Sequence, residues 1–290
     1  MRSAALLTIT IFQVFFSDFI YGEITYHGTE ATLEKIMTLI SQKEKGVYFR
    51  FGDGDLNVAK GDTFYDCEAH RPNRKLQQEM LEAYALNDPG VLKTLPVYNR
   101  NFGGLEPGMF PGNHETSDEN SRLWIEQSKS IWGGEMTDVY SHVALHFSAT
   151  SNRDLCFSFL NFLRNANCCL FVGNKNIPRE VRKILFGTKC KFVPTPASNS
   201  YSQIDQIEKE CLNYLSDIPE YKVVVVASGV AGRILQKRLW KKIDNIFIFD
   251  FGSLMDALCG WNTRYWIGLT KFEHKRFLNE LNAYMESHRD

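Results

Sequence analysis

From Asn152 to Asp250 the chain alternates short apolar runs with amphipathic stretches, and this alternation limits the fold more than any other feature. The apolar runs are Cys168–Val172, Cys190–Val193, Lys222–Ala227 and Ile246–Asp250. Between them lie stretches of helical period at Leu155–Asn165, Arg179–Phe186, Gln203–Ser216 and Ala231–Lys242. A run such as Val223-Val224-Val225-Val226 has no polar side, so both of its faces must be covered, as they are in parallel sheets. Strand and helix in turn call for the α/β class: a Rossmann-like, mostly parallel sheet with helices on both faces. Right-handed crossovers then bring the carboxyl ends of the strands to one edge, where ligands bind in such sheets.

Upstream the pattern is looser. Thr29–Lys43 carries Leu33, Ile36, Met37 and Ile40 at helical spacing, Gly46 ends it, and Val47–Phe51 reads as a strand. Asn73–Leu86 reads as helix, Val91–Tyr98 as strand, Arg122–Trp132 as helix and Val139–Phe147 as strand. Asn99–Ser121, with its Gly-Gly and Pro-Gly steps, reads as an irregular loop, either a lid or substrate wall or a surface insertion. The 290 residues suit one large domain, placed at residues 23–290. With 44% hydrophobic and 23% charged residues the chain is of ordinary globular composition. A net charge of −1 gives no electrostatic footprint for nucleic acid, and the aromatic residues form no ordered RNA-stacking motif.

Residues 1–22 look signal-like: Arg2, then an apolar run from Ala4 to Phe16, then Asp18 and Gly22. A cleaved signal, an uncleaved anchor and a buried element all fit this segment, which is short for a membrane span. It points to the secretory pathway or secretion, with the cytoplasm as the alternative. No Asn-x-Ser/Thr sequon occurs, which disfavours a heavily glycosylated product. The seven cysteines include no Cys-x-x-Cys, so zinc-ribbon and thioredoxin readings fail and the thiols read mainly as small buried apolar groups.

The chemistry concentrates in Arg-Phe-Gly-Asp-Gly-Asp at Arg50–Asp55, at the end of an apolar strand. Asp53 and Asp55 are one residue apart, and Gly52 and Gly54 allow close backbone approach. Paired carboxylates in such a loop suit a hard cation, Mn²⁺ or Mg²⁺, held together with a substrate phosphate. Arg50 complements phosphate or pairs with a carboxylate. On the same edge lie Lys175 after one strand, Asn199 after the next, Ser228-Gly229-Val230-Ala231-Gly232 after the valine strand, and Asp250 at the last. The small residues from Ser228 admit a phosphate or ribose at a helix amino end, or simply let the helix sit close to the sheet. Lys175 neutralises phosphate or is a solvated turn lysine. Asn199 bonds a base or ribose, or caps a helix. Asp250 takes a ribose hydroxyl or is an ordinary strand-end acid. His142 and His146 are four apart but lack the Glu of a His-Glu-x-x-His site, so a metal role is disfavoured. An Asp-x-Asp after a strand also opens metal-dependent phosphohydrolase sites with a nucleophilic first Asp, but Leu56-Asn57 replaces the Thr such sites carry.

Taken together, Arg50–Asp55, the Pro-x-x-Asn of Pro196–Asn199, the segment from Val223 to Gly232 and the Asp-x-Gly of Asp250–Gly252 resemble the GT-D-type glycosyltransferases, first catalogued as a domain of unknown function. The resemblance runs from about Glu30 to Trp266. It implies transfer of a sugar, of hexosyltransferase type, from a nucleotide-sugar donor (a UDP-sugar foremost) to a glycan or glycoconjugate hydroxyl. It also implies Mn²⁺ or Mg²⁺ on Asp53 and Asp55, with Asp55 standing where the family has Glu. Arg50, Gly52, Gly54, Lys175, Asn199, Ser228, Gly229 and Asp250 would surround the nucleotide, and Asp55 and Asp256 would be the catalytic carboxylates, Asp256 as the base. Two departures stand out. Ser253 replaces the family's His after Asp-x-Gly, and Ser148-Ala149-Thr150 stands where an arginine is expected. A non-catalytic nucleotide-binding relative is therefore the alternative.

Overall fold

The computed structural model describes residues 19–21, 24–61, 73–96, 114–166 and 168–288. Among the described residues nine strands form one sheet, β1 (Phe19–Tyr21), β2 (Ile24–His27), β3 (Gly46–Phe49), β4 (Val91–Leu95), β5 (Asp138–Ser141), β6 (Cys168–Asn174), β7 (Lys191–Thr195), β8 (Lys222–Ala227) and β9 (Ile246–Asp250), in the order β1-β2-β5-β4-β3-β9-β8-β6-β7. Only the β1–β2 pair is antiparallel; the other pairings are parallel. Phe19–Tyr21 falls inside the signal-like segment and pairs with Ile24–Tyr26; residues 1–18 and 22 lie outside the described residues.

Side-chain alternation sorts the core into two layers. Val224, Val226, Ile246 and Ile248 face one layer, and Val223, Val225, Phe247 and Phe249 the other. Helices α2 (Asp53–Lys60), α3 (Arg74–Tyr84), α4 (His114–Lys129), α8 (Ile204–Leu215) and α9 (Gly229–Lys242) contribute to the first layer. Helices α1 (Thr29–Ser41), α5 (Ala144–Ser151), α6 (Arg153–Asn165), α7 (Arg179–Phe186), α10 (Leu254–Leu258), α11 (Tyr265–Leu269) and α12 (His274–Ser287) cover the second. The continuous valine run is buried throughout because both layers press on it.

Three local expectations are corrected. The Asp-Gly-Asp segment is not a loop but the first turn of α2. Gly52 is its N-cap, and the Asp55 carboxylate reaches back to accept the Gly52 backbone N–H at 2.8 Å. Acidic groups in a first turn are favoured by the helix dipole and by the turn's unbonded N–H groups, so the same residues that suit a cation also start a helix. Val139–Phe147 is strand only to Ser141, after which Ala144 opens α5. The expected loop at 99–121 is helix from His114, and residues 97–113 lie outside the described residues. Among the described residues no helix is long and apolar enough to cross a membrane.

Candidate active site

The sheet reverses its direction of growth between β3 and β9. From β3 the chain builds outward through β4 and β5, and from the far side it builds inward through β8 to β9. A crevice opens above such a reversal, beyond the carboxyl ends of the strands. It holds a cavity of about 350 Å³, within the range of small-ligand sites. One wall is polar and uncharged: Asn174 from β6, Thr195 and Ser198 from β7 and its loop, and Ser228 and Gly229 at the start of α9. The opposite wall is charged: Arg50 beyond β3, Asp250 at the end of β9, Asp256 on α10, and Arg264 before α11.

Beneath the charged wall lies a buried ionic quartet centred on Arg233 of α9. Its Nη1 is 3.0 Å from Asp250 Oδ2 and its Nη2 is 3.3 Å from Asp55 Oδ2. The same guanidinium donates to the carbonyls of Gly229 (2.7 Å) and Arg50 (2.6 Å). Arg50 completes the set, with Nε 3.8 Å from Asp250 Oδ1 and Nη1 donating to the His142 carbonyl. Two cations and two anions cancel, which is the condition for keeping such groups out of water. Arg233 thereby ties the first turn of α2, the loop after β3, the first turn of α9 and the end of β9 into one rigid floor. Asp250 also accepts the Gly252 backbone N–H at 2.8 Å. Gly252 has φ +64°, and a Cβ there would lie 2.4 Å from Arg50 Nε, so only glycine leaves room for that arginine.

At the cavity mouth Asp256 Oδ2 accepts the Thr263 hydroxyl at 2.6 Å. Ser253 is buried, and its Oγ accepts the Trp266 indole N–H at 2.9 Å. The His146 ring stacks on Trp266 with centroids 4.9 Å apart. Burial, reinforced by the nearby Arg50 charge, pushes the His142 imidazole down to about 3 and holds His146 well below its ordinary value. Both rings are neutral at physiological pH, and neither joins a metal cluster among the described residues. The hydroxyls of Ser148 and Thr150, where an arginine was expected, bond back to carbonyls of their own helix.

Three solved structures share this architecture. A selenomethionine-substituted structure of domain of unknown function 1792 (DUF1792) superposes with a TM-score of 0.58 at 18% identity, over 86% of this chain and 83% of that one. A second is described as showing that this highly conserved domain has a distinct glycosyltransferase fold; it gives 0.57 at 18%, with the same coverage. The third, described as a new glycosyltransferase (DUF1792) from Streptococcus sanguinis, gives 0.56 at 16%, over 82% of this chain and 84% of that one. The chain has the DUF1792 glycosyltransferase fold. No protein-family model matches the chain, and no curated protein does.

On this DUF1792 fold the sequence candidates divide. Arg50, Ser228, Gly229, Asp250 and Asp256 meet at the cavity. Asn199 sits between Ser198 and Ser200, which line it; its φ of +51° starts a short 3₁₀ turn, and its side chain makes no capping bond. Lys175 is exposed and its backbone N–H bonds the Thr195 carbonyl, while the neighbouring Asn174 lines the cavity. Gly52 and Gly54 belong to the start of α2, outside the lining. Asp53 and Asp55 differ in their surroundings. Asp53 is exposed at the first position of α2, whereas Asp55 is buried with Oδ2 against the Gly52 N–H and Arg233. No group of three or more His, Cys, Asp or Glu among the described residues is arranged to hold a metal ion. Arg233, Arg264 and Asn174 escaped the sequence reading. Arg233 had a signal: with Gln236 and Lys237 it makes a polar stripe at helical spacing along α9.

Proposed function

We propose that the chain is a glycosyltransferase that binds a nucleotide-sugar, a UDP-sugar foremost, in the cavity above β3 and β9, and transfers its hexosyl group to a hydroxyl of a glycan or glycoconjugate. The observation that carries this is the cavity itself: a polar wall and a charged wall meet at the reversal point of a sheet with a glycosyltransferase fold. The polar wall offers Asn174, Thr195, Ser198 and Ser228 to the ribose and base. The first backbone N–H groups of α9, which an α-helix leaves without internal partners, and the Arg50 guanidinium take the diphosphate. As negative charge grows on the departing nucleoside diphosphate, donors fixed in place by the ionic quartet stabilise it without having to reorganise. Asp256, at the mouth, removes the proton of the acceptor hydroxyl, and its bond from Thr263 fixes the carboxylate's direction. Mn²⁺ or Mg²⁺, which the sequence resemblance implies, would offset charge on the diphosphate when bound.

Thermal melting with UDP, GDP, ADP and CMP, each with Mn²⁺, tests the reading. At least one is expected to raise the melting temperature, since a ligand bound only by the folded state stabilises it. The sugar donor matching that nucleotide should then be turned over. Asp256→Asn is expected to keep the melting shift and lower kcat by about 10²–10⁴-fold. A panel without any shift would overturn the proposal. Binding without turnover of any donor would favour a non-catalytic relative, the outcome that the Ser253–Trp266 bond in place of a histidine motivates.

A further inference from the structure

A second cavity, of about 400 Å³, lies at the β7 edge of the sheet against α7, and Cys190 lines it. Three cations face it, Arg179, Arg182 and Lys183, against the single acid Glu180. The Arg182 guanidinium lies flat on the Phe192 ring, 3.9 Å from its centre, which holds the charge at the cavity wall. Behind Cys190, its Sγ 3.7 Å away, is Cys168. The pairing of β6 with β8 shifts register here: Cys168 pairs with Val223 and Leu170 with Val224, so Cys169 is the extra residue of a bulge. The two thiols meet between the start of β6 and the residue before β7. Cys190 is half-buried at the cavity, whereas Cys168 is buried behind it, and burial pushes its thiol well above the ordinary value.

We propose that this cavity is a thiol–disulfide exchange site: it receives a small anionic disulfide of the glutathione class, Cys190 is the attacking thiol and Cys168 the resolving one. The carboxylates of the disulfide meet Arg179, Arg182 and Lys183. The Cys190 thiolate attacks one sulfur of the small disulfide, which breaks its S–S bond and releases one thiolate; that thiolate takes up the proton Cys190 gave to solvent. Cys168 then gives up its proton and, as the thiolate, attacks the Cys190 sulfur; the mixed disulfide breaks, and the second small thiolate leaves and takes up that proton. Two protein thiols are oxidised to one disulfide, and one small disulfide is reduced to two thiols. The new bond closes the loop that carries β6 and α7 and locks β6 to β7, whose far ends, Asn174 and Thr195, line the candidate active site.

The full reduced chain is incubated with glutathione disulfide, with neutral hydroxyethyl disulfide or with cationic cystamine, and the products are mapped by mass spectrometry. Glutathione disulfide is expected to link Cys168 to Cys190, and Cys169→Ser to leave that link unchanged. Cys168→Ser should trap one glutathione on Cys190, and Cys190→Ser should take up none. Glutathione disulfide should react at least about tenfold faster than cystamine, an advantage that Arg182→Ala reduces. Absence of the Cys168–Cys190 link in the unsubstituted chain would sink the exchange site, and cystamine reacting as fast as glutathione disulfide would overturn the choice of an anionic substrate.

Discussion

Arg233 shows how one side chain organises the candidate active site. Its guanidinium spans Asp55 and Asp250 while bonding the carbonyls of Arg50 and Gly229, so four segments distant in sequence share one donor. Arg233→Met keeps much of the volume but removes the guanidinium that two buried carboxylates share. A loss of about 3–5 kcal/mol is expected in urea unfolding, with the slope unchanged. Gly252→Ala tests the same floor from above. An alanine at φ +64° costs roughly 1–2 kcal/mol, and its Cβ would displace the Arg50 side chain. The variant is expected to melt earlier and also to bind its nucleoside diphosphate more weakly, as isothermal titration would read.

Among the elements, α3, α8 and α9 are held together by charge as much as by apolar contact. Arg238 of α9 bonds Glu79 of α3 and both Asp205 and Glu208 of α8, while Lys237 bonds Glu79 and Glu82. Glu79 is buried, and burial alone would raise its carboxyl. The bonds from Arg238, Lys237 and Tyr201 outweigh that and bring it from 4.5 down to about 2. A carboxyl depressed by folding stabilises the fold above its unfolded value of 4.5, and the gain fades as pH falls toward 2. Unfolding free energy is expected to drop by roughly 3 kcal/mol across that window, and Glu79→Gln to flatten the drop. The sequence showed these helices through their apolar period but not the pairing of their charges, because partners 30 to 159 residues apart leave no local pattern. It was clearest between 152 and 250, where strands are apolar on both sides. At Asp53–Asp55 it missed the helix start, because acids that suit a cation in a loop also suit a first helical turn. Val143, Ala144 and Leu145 misled in another way: a short apolar run has no period that separates strand from helix. That Arg50, Ser228, Gly229 and Asp250 share one edge was legible because strand ends fix it, whereas Arg233 reaches that edge only through tertiary packing.

On the scale of the whole molecule, the sheet is protected most at its centre. β8 and β9 lie between strands on either side and between two apolar layers, whereas β1 is a three-residue antiparallel edge strand. Native-state hydrogen exchange is expected to be slowest for the amides of Val224, Val225, Ile248 and Phe249, whose opening requires global unfolding, and to be fast at Phe19–Tyr21.

The pairing of β3 with β9 has a consequence for synthesis. Residue 47 waits for residue 248 before the two halves of the sheet can close on each other. A nascent chain halted after α9 has both half-sheets in hand, each with a bare strand edge open to strangers, and Arg50 without its aspartate. The protein is therefore most exposed to misassembly between the synthesis of α9 and that of β9, and gains its competence in one step rather than by degrees.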